Sequence, residues 1–323
     1  MGSIRSKLVV VGVGHVGSQV LNCAASLKLF SEIVAIDKIE SKAKGEALDI
    51  SHFTSSDYIN NVNIRSGGYE ECKDADIIII SAGPSIMPNK DIKKLDRLAL
   101  ASQNVPVMKE IMSSITKYTK DAVIIIITNP LDVMVYYAQN FFGYSKNKIF
   151  GTGTSLDSAR FKRIIADKYN VDPKSVQGYM MGEHGNSAFP AWSLLRIAGI
   201  SYDDLDKYFN PKEHLDCDNV ASEVVEVAYS VLNMKGYTNS GIAMAACRLA
   251  EAVLLNERTI LPVSSTLEGE YGLRDVALSI PTIIGKNGIE KRIQVPLSDD
   301  EINKLKESAE SVLKTIKSVG LEK

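Results

Sequence analysis

Residues Leu8–Asp37 read LVVVGVGHVGSQVLNCAASLKLFSEIVAID: an apolar run, three spaced glycines, a helical pattern, a second apolar run and a carboxylate. Gly12, Gly14 and Gly17 fit G-x-G-x-x-G directly behind a β-branched strand and at the start of a helix, the context that motif needs. Gly12 permits the tight turn, Gly14 lets a pyrophosphate approach the backbone, and Gly17 lets helix and strand pack closely. The helix starting near His15 offers unpaired N–H groups and the positive end of its dipole to that pyrophosphate. Asp37 closes the second strand, 20 residues past Gly17, where a carboxylate accepts both adenosine-ribose hydroxyls and repels a 2′-phosphate. NAD is therefore expected over NADP, although Lys38 brings a positive charge beside it. The plainer alternative is a glycine-rich turn in some other βαβ unit; two strands, a helix and Asp37 in their expected places argue against it.

At 323 residues the chain exceeds what one core usually organises, so two domains are expected. A content of 45% apolar and 24% charged residues is that of an ordinary globular protein. The formal charge of −2, with no basic block, offers no footprint for nucleic acid or an anionic membrane. Apolar runs such as Ile77–Ile80 and Val123–Ile127 are strand-sized, far short of a bilayer span. No secretory leader pattern opens the chain. The start MGSIRS fits the loose myristoylation pattern, but strand-like sequence from Lys7 leaves little free arm. Cys23, Cys72, Cys217 and Cys247 are scattered without a CxxC pair, as buried thiols in a reducing compartment would be; the expected location is cytoplasmic.

Strand and helix patterns alternate through residues 1–150. Helical patterns cover Ser41–Phe53, Ile92–Tyr118 and Leu131–Phe142; strands are expected at Val62–Ser66, Asp76–Ala82, Ala122–Thr128 and Lys148–Gly151. Near-continuous Ile/Val runs suit a parallel sheet covered on both faces. Six such strands predict a doubly wound α/β (Rossmann) domain that binds ligands at the strands' carboxyl ends. At those ends lie Ser81-Ala82-Gly83 and Ile127-Thr128-Asn129. With Gly12, Val13, Gly14, His15, Val16, Gly17 and Asp37 they make up the expected cofactor-binding set. Gly83–Asp91 (GPSIMPNKD) has the composition of a lid or of a passive connection. Residues 151–323 change character. A helix at Leu156–Tyr169, strands at Gln177–Met181 and Ala191–Ile197, and a long helical stretch Asp218–Leu255 broken near Met234–Thr238 come first. Strand pieces with a turn at Lys286–Gly288 and an amphipathic helix from Asp299 complete an α+β substrate domain on the open edge of the first. The apolar face along Val220–Leu232 packs either between subunits or within that domain.

A proton-transfer group and a substrate anchor are then required. Of four histidines, His15 lies in the glycine loop, His52 on a helical pattern and His214 in a charged stretch. His184 sits between glycines in Met181-Gly182-Glu183-His184-Gly185-Asn186-Ser187, a setting that suits a side chain aimed into a cleft. By itself such a histidine is as readily structural as catalytic. Asp157 and Arg160 share one helix face at i,i+3. They make either a surface ion pair of little worth or a carboxylate that orients an imidazole beside a guanidinium that grips a substrate carboxylate. No Cys/His cluster suggests a bound metal.

These residues resemble the NAD-dependent L-lactate and L-malate dehydrogenase family. The resemblance covers nearly the whole chain: GVGHVG with Asp37, ITNPLDV, GTGTSLDSARF, GEHGNSAFPAWS and KGYT, in that order. It implies that His184 is the general acid/base, Asp157 its partner, and Arg160 the anchor of the substrate carboxylate. It further implies that Arg97 polarises the substrate carbonyl, Asn129 hydrogen-bonds substrate near the nicotinamide, and Thr238 lines the pocket. A homodimer or homotetramer follows from the same family habit. At the lid position where glutamine suits lactate and arginine suits malate, this chain carries Ile86 followed by Met87. The loop to Arg97 is also longer than in ordinary lactate dehydrogenases. An apolar, lengthened lid, GEHGNS and VLNMKGYTNSG look more like L-2-hydroxyisocaproate dehydrogenases, which accept branched 2-oxo acids. Extra apolar pocket surface is worth roughly 1–3 kcal/mol per methylene, enough to shift preference without excluding pyruvate. Lys162 and Gln177 occupy the positions where allosteric relatives bind fructose 1,6-bisphosphate, and the uncharged Gln177 predicts no strong activation. Malate dehydrogenase with an atypical lid, and a non-catalytic NAD-binding oligomer, stay open as alternatives.

Overall fold

The computed structural model describes residues 6–84 and 97–322, the side chains of residues 97 and 98 excepted. The expectations for Ile86, Met87 and the Arg97 side chain lie outside those residues. The first half consists of β1 (Lys7–Val11), α1 (His15–Ser26), β2 (Glu32–Ile36), α2 (Glu40–Ser51), β3 (Asn63–Ser66), β4 (Ile77–Ile80), α3 (Arg97–Ile115), β5 (Val123–Ile126), α4 (Leu131–Phe141) and β6 (Ile149–Gly151). Its strands pair in parallel in the order β3-β2-β1-β4-β5-β6. The order reverses between β1 and β4, which opens a crevice beyond their carboxyl ends. Alternate residues of the isoleucine strands feed two cores. Ile78, Ile80, Ile124 and Ile126 pack toward α3 and α4; Ile77, Ile79 and Ile125 pack toward α1 and α2.

The second half consists of α5 (Ser155–Tyr169), β7 (Val176–Gln177), β8 (Met180–Met181), β9 (Phe189–Pro190), β10 (Arg196–Ile197), β11 (Ile200–Ser201), α6 (Leu205–Phe209), α7 (Cys217–Lys235), α8 (Ser240–Leu254), β12 (Thr259–Glu268), β13 (Arg274–Gly285), β14 (Gly288–Arg292) and α9 (Asp299–Ser318). Two expected strands break up. Gln177–Met181 divides into β7 and β8, which join different small sheets, and Ala191–Ile197 gives way to a 3-10 turn at Trp192–Leu194 before β10. Gly178 sits at the first break against the Phe161 ring, where an added Cβ would lie 2.9 Å from the ring edge.

The antiparallel strands β12, β13 and β14 do not build a sheet of their own. β12 meets β6 with Ser264 opposite Gly151, so one sheet of nine strands runs through the molecule. Helix α8 likewise packs on α1: Ala243, Ala246, Cys247 and Ala250 share a core with Val20, Leu21 and Ala24, because small side chains let the two helices approach. On α7, Val220 and Val224 turn inward to Phe161 and Ile165, so this part of the helix packs within the chain. Ser298 caps α9 in a capping box with Glu301. Among the described residues, no helix is long and apolar enough to cross a membrane.

Candidate active site

The three glycines each meet a different constraint. Gly12 has φ +87° and donates its N–H to the Ile36 carbonyl at 2.7 Å, and a Cβ there would lie 2.5 Å from the Ala82 Cα. At Gly17 a Cβ would come within 1.9 Å of the Gly12 carbonyl oxygen, so helix and loop touch only because the side chain is missing. Gly14, at the N-terminus of α1, has nothing within 4 Å of an added Cβ, and no side chain caps the helix there. An uncapped helix end beside open space suits a pyrophosphate. Asp37 is held at the end of β2, its Oδ2 accepting from the Val13 N–H at 2.9 Å and its Oδ1 from the Ile39 N–H at 3.0 Å. Each carboxylate oxygen keeps acceptor capacity for a ribose hydroxyl.

A cavity of about 390 Å³ begins at Gly14 and runs to His184. Of the expected residues it is lined by Gly14, His15, Val16, Ser81, Gly83, Ile127, Thr128, Asn129, Asp157, Arg160, His184 and Thr238. Gly12, Gly17 and the wholly buried Val13 stand behind it in the strand and helix packing. Two hydroxyls serve the frame: Ser81 Oγ donates to the Gly12 carbonyl at 2.7 Å, and Thr128 Oγ1 to the Ala82 carbonyl at 2.7 Å. Asn129, joined to Pro130 by a cis peptide, turns its Oδ1 to the Leu131 N–H at 3.3 Å, which leaves its amide N–H groups as the donors for a ligand.

At the inner end His184 Nδ1 lies 2.7 Å from Asp157 Oδ2, and Asp157 Oδ1 accepts from the Arg160 guanidinium at 2.9 Å. The ion pair that sequence left open as a surface feature is thus a three-member chain around a carboxylate only 8% exposed. Burial pushes the Asp157 carboxyl up, and the charges and hydrogen bonds of His184 and Arg160 outweigh it, so the group ends below the usual carboxylate range. With Nδ1 committed to Asp157, Nε2 is the ring nitrogen through which the imidazole can exchange a proton with a bound group. A guanidinium has five N–H donors, and those beyond the Asp157 contact can meet a carboxylate in the cavity. The cavity is also lined by the apolar Leu156, Val224, Val225, Ala228, Leu232 and Ile242.

The loop carrying His184 is fastened through three consecutive amides. Gly182 (φ +91°) exchanges hydrogen bonds with Ser279 on β13, the Glu183 N–H donates to Ser308 Oγ on α9 at 2.7 Å, and the His184 N–H donates to Asp132 Oδ2 on α4 at 2.8 Å. None of these anchors was among the expected residues. Asp132 had a visible signal, a lone carboxylate in the apolar run Leu131–Val135; Ser308 in a charged helix had none. Two further contacts were also unforeseen. His15 stacks on Tyr237 at 4.0 Å between ring centroids, and Asn104 donates to the Asn129 carbonyl at 2.6 Å. Among the described residues, no group of three or more His, Cys, Asp or Glu side chains is placed to hold a metal.

Residues 6–151 match the NAD binding domain of lactate/malate dehydrogenases, and residues 154–322 their alpha/beta C-terminal domain. L-lactate dehydrogenase 2 of Clostridium acetobutylicum is 56% identical over 323 residues, covering 100% of both chains. L-lactate dehydrogenase of Selenomonas ruminantium is 52% identical over 318 residues, covering 98% of this chain and 99% of its own. Among solved structures, the minor L-lactate dehydrogenase from Enterococcus mundtii superposes with a TM-score of 0.91 at 33% identity, covering 98% of this chain and 99% of that one.

Proposed function

The chain belongs to the lactate/malate dehydrogenase family and its cofactor is NAD; on that premise we propose that it is an L-2-hydroxy acid dehydrogenase of the L-lactate dehydrogenase type. The observation that carries this reading is the His184–Asp157–Arg160 chain at the end of a cavity that starts at the glycine loop. The bound nicotinamide supplies hydride transfer to or from the second carbon of the substrate. His184 Nε2 gives a proton to the carbonyl oxygen in reduction and takes it back in oxidation. Asp157 fixes the tautomer and stabilises the imidazolium, as an orienting carboxylate does in other imidazole-based catalysis. Arg160 grips the substrate carboxylate, Asn129 donates to the substrate oxygen, and Thr238 lines the pocket. Arg97 is assigned the polarising of the carbonyl, as the resemblance implies.

The apolar wall of Val224, Val225, Ala228 and Leu232 supports an aliphatic substrate side chain, from pyruvate up to a branched acid such as 4-methyl-2-oxopentanoate. The test is a panel of 2-oxo acids differing in size and charge, assayed with NADH and with NADPH. Pyruvate and branched acids should be reduced with NADH, and oxaloacetate poorly. Preference for oxaloacetate, or no reduction of any aliphatic 2-oxo acid, would overturn the reading. The same reading makes the protein a cytoplasmic homodimer or homotetramer. The exposed Leu48, Phe53 and Tyr58 on and after α2 offer apolar surface for a second copy, which sedimentation would detect.

A further inference from the structure

Asp132 is a buried carboxylate to which the mechanism above assigns no task. It is 2% exposed, on the first turn of α4, three residues past Asn129. Its Oδ1 accepts from Ser264 Oγ of β12 at 2.6 Å, and its Oδ2 accepts from the His184 backbone N–H at 2.8 Å. The helix whose entry presents Asn129 to the cavity is thereby tied to the loop that presents the imidazole. We propose that Asp132 is a positioning residue with an electrostatic role: ionised, it holds the His184 backbone and raises the proton affinity of the imidazole as a second carboxylate behind Asp157. This rests on His184 being the acid/base.

The charged surroundings decide the sign. Asp157, with Arg160 on its other oxygen, meets the imidazole directly. Glu183, on the same loop, is buried and accepts from Ser187 Oγ at 2.5 Å and from Ser311 Oγ of α9 at 3.5 Å. Its negative charge acts on Asp132. Burial pushes the Asp132 carboxyl up to about 6, with Glu183 adding to the rise and Ser264, His184 and its N–H opposing it. The hydrogen bonds from Ser264 and the His184 N–H, with the charge of His184, favour the ionised carboxylate. Removing its charge disfavours the imidazolium, so His184 should lose its proton at lower pH.

The experiment is the pH profile of kcat/KM for pyruvate reduction, whose alkaline limb reports loss of the His184 proton. Asp132→Asn keeps an acceptor for the His184 N–H and removes the charge; its alkaline limb should move toward acid by roughly half a pH unit or more. NADH binding, followed by fluorescence, should stay within about threefold of the parent, which also reports that the variant is folded. Ser264→Ala, which removes one donor to the carboxylate, should move the limb the same way by less. It carries the test alone should Asp132→Asn fail to fold. A lowered rate with an unmoved limb means a merely structural role and overturns the proposal, as does an unchanged profile. Absence of pyruvate reduction by the parent protein would instead overturn the function on which the proposal rests.

Discussion

Replacing Asp157 with asparagine changes one atom's chemistry at the centre of the site. Arg160 has only donors, so the new side chain must present its oxygen to the guanidinium. Its –NH2 then faces His184 Nδ1, now at the 2.7 Å position where the carboxylate oxygen had been. That contact forces Nδ1 to accept, places the ring proton on Nε2, and repels the imidazolium that reduction requires. The lost attraction follows from the geometry. A carboxylate and an imidazolium about 4 Å apart at an effective dielectric constant of about 20 interact by ~4 kcal/mol, or about three powers of ten in rate.

Asp157→Asn should therefore lower kcat for pyruvate reduction about a thousandfold, and most of the loss should persist with saturating NADH and pyruvate. The assay is steady-state NADH oxidation with NADH binding followed separately, and binding should change little because the glycine loop is untouched. The pyruvate KM should rise less than kcat falls, since Arg160 keeps its charge. A loss under tenfold, or one confined to KM, would refute the assignment of His184 and Asp157 as one proton-transfer unit.

Two glycine substitutions should separate stability from cofactor binding. Gly17→Ala, which sets a Cβ 1.9 Å from the Gly12 carbonyl oxygen, should destabilise the fold by several kcal/mol, about as overpacking does, and lower the Tm. Gly14→Ala meets nothing within 4 Å and should leave the Tm nearly unchanged while weakening NADH binding about tenfold or more, measured by fluorescence titration. Arg97→Gln should lower turnover by two or more powers of ten with little change in NADH affinity, and unchanged turnover would remove it from the chemistry. Glu71 accepts from Arg65 and Lys7, with Arg65 the larger influence, and its carboxyl is held down from 4.5 to about 2. Its contribution is present above pH 4.5 and fades as pH falls toward 2. Glu71→Gln should therefore cost about 1–2 kcal/mol at neutral pH in urea unfolding, after allowing for solvent screening, and little near pH 2. Fructose 1,6-bisphosphate should give no strong activation and no large drop in the pyruvate KM, since Lys162 lies over the Tyr179 ring at 5.9 Å and Gln177 brings no charge.

The parallel sheet was legible because its signals are local. Four consecutive isoleucines in β4 have one stable setting, between two helical layers, and the glycine spacing marks the strand-to-helix turn before any contact is known. Apolar runs outlast strands by a residue or two, which is why Asp76–Ala82 shrinks to Ile77–Ile80. Two-residue strands such as β7 and β8 carry no periodicity, so the expected Gln177–Met181 strand had nothing to show where it divides. The attachment of β12 to β6 rests on one pair, Ser264 and Gly151, more than a hundred residues apart, and no pattern within either segment announces it. In the site, Asp157 and Arg160 were visible as helix neighbours. Their meeting with His184 came from family resemblance, because nothing in spacing alone brings residues 27 apart together.

The anchors of the histidine loop explain why the missing part was of this kind. A segment with glycine at both 182 and 185 has more freedom to lose on folding than one with side chains at those positions. Left to local preference, it would not hold an imidazole to the fraction of an ångström that proton transfer needs. The fold offsets that freedom with contacts from four separate elements: Ser279 on β13, Ser308 on α9, Asp132 on α4 and Asp157 on α5. Three of them act on the backbone, where an amide donor is the same whatever residue carries it. The sequence of the loop therefore holds no trace of its partners. Flexible composition at a point that demands rigidity is itself the legible signal: it says that long-range anchors must exist and that some will be buried polar side chains with no other task. Asp132 and Ser308 fit that description, and it is there, rather than among the groups facing the cavity, that substitutions should alter kcat without touching a ligand.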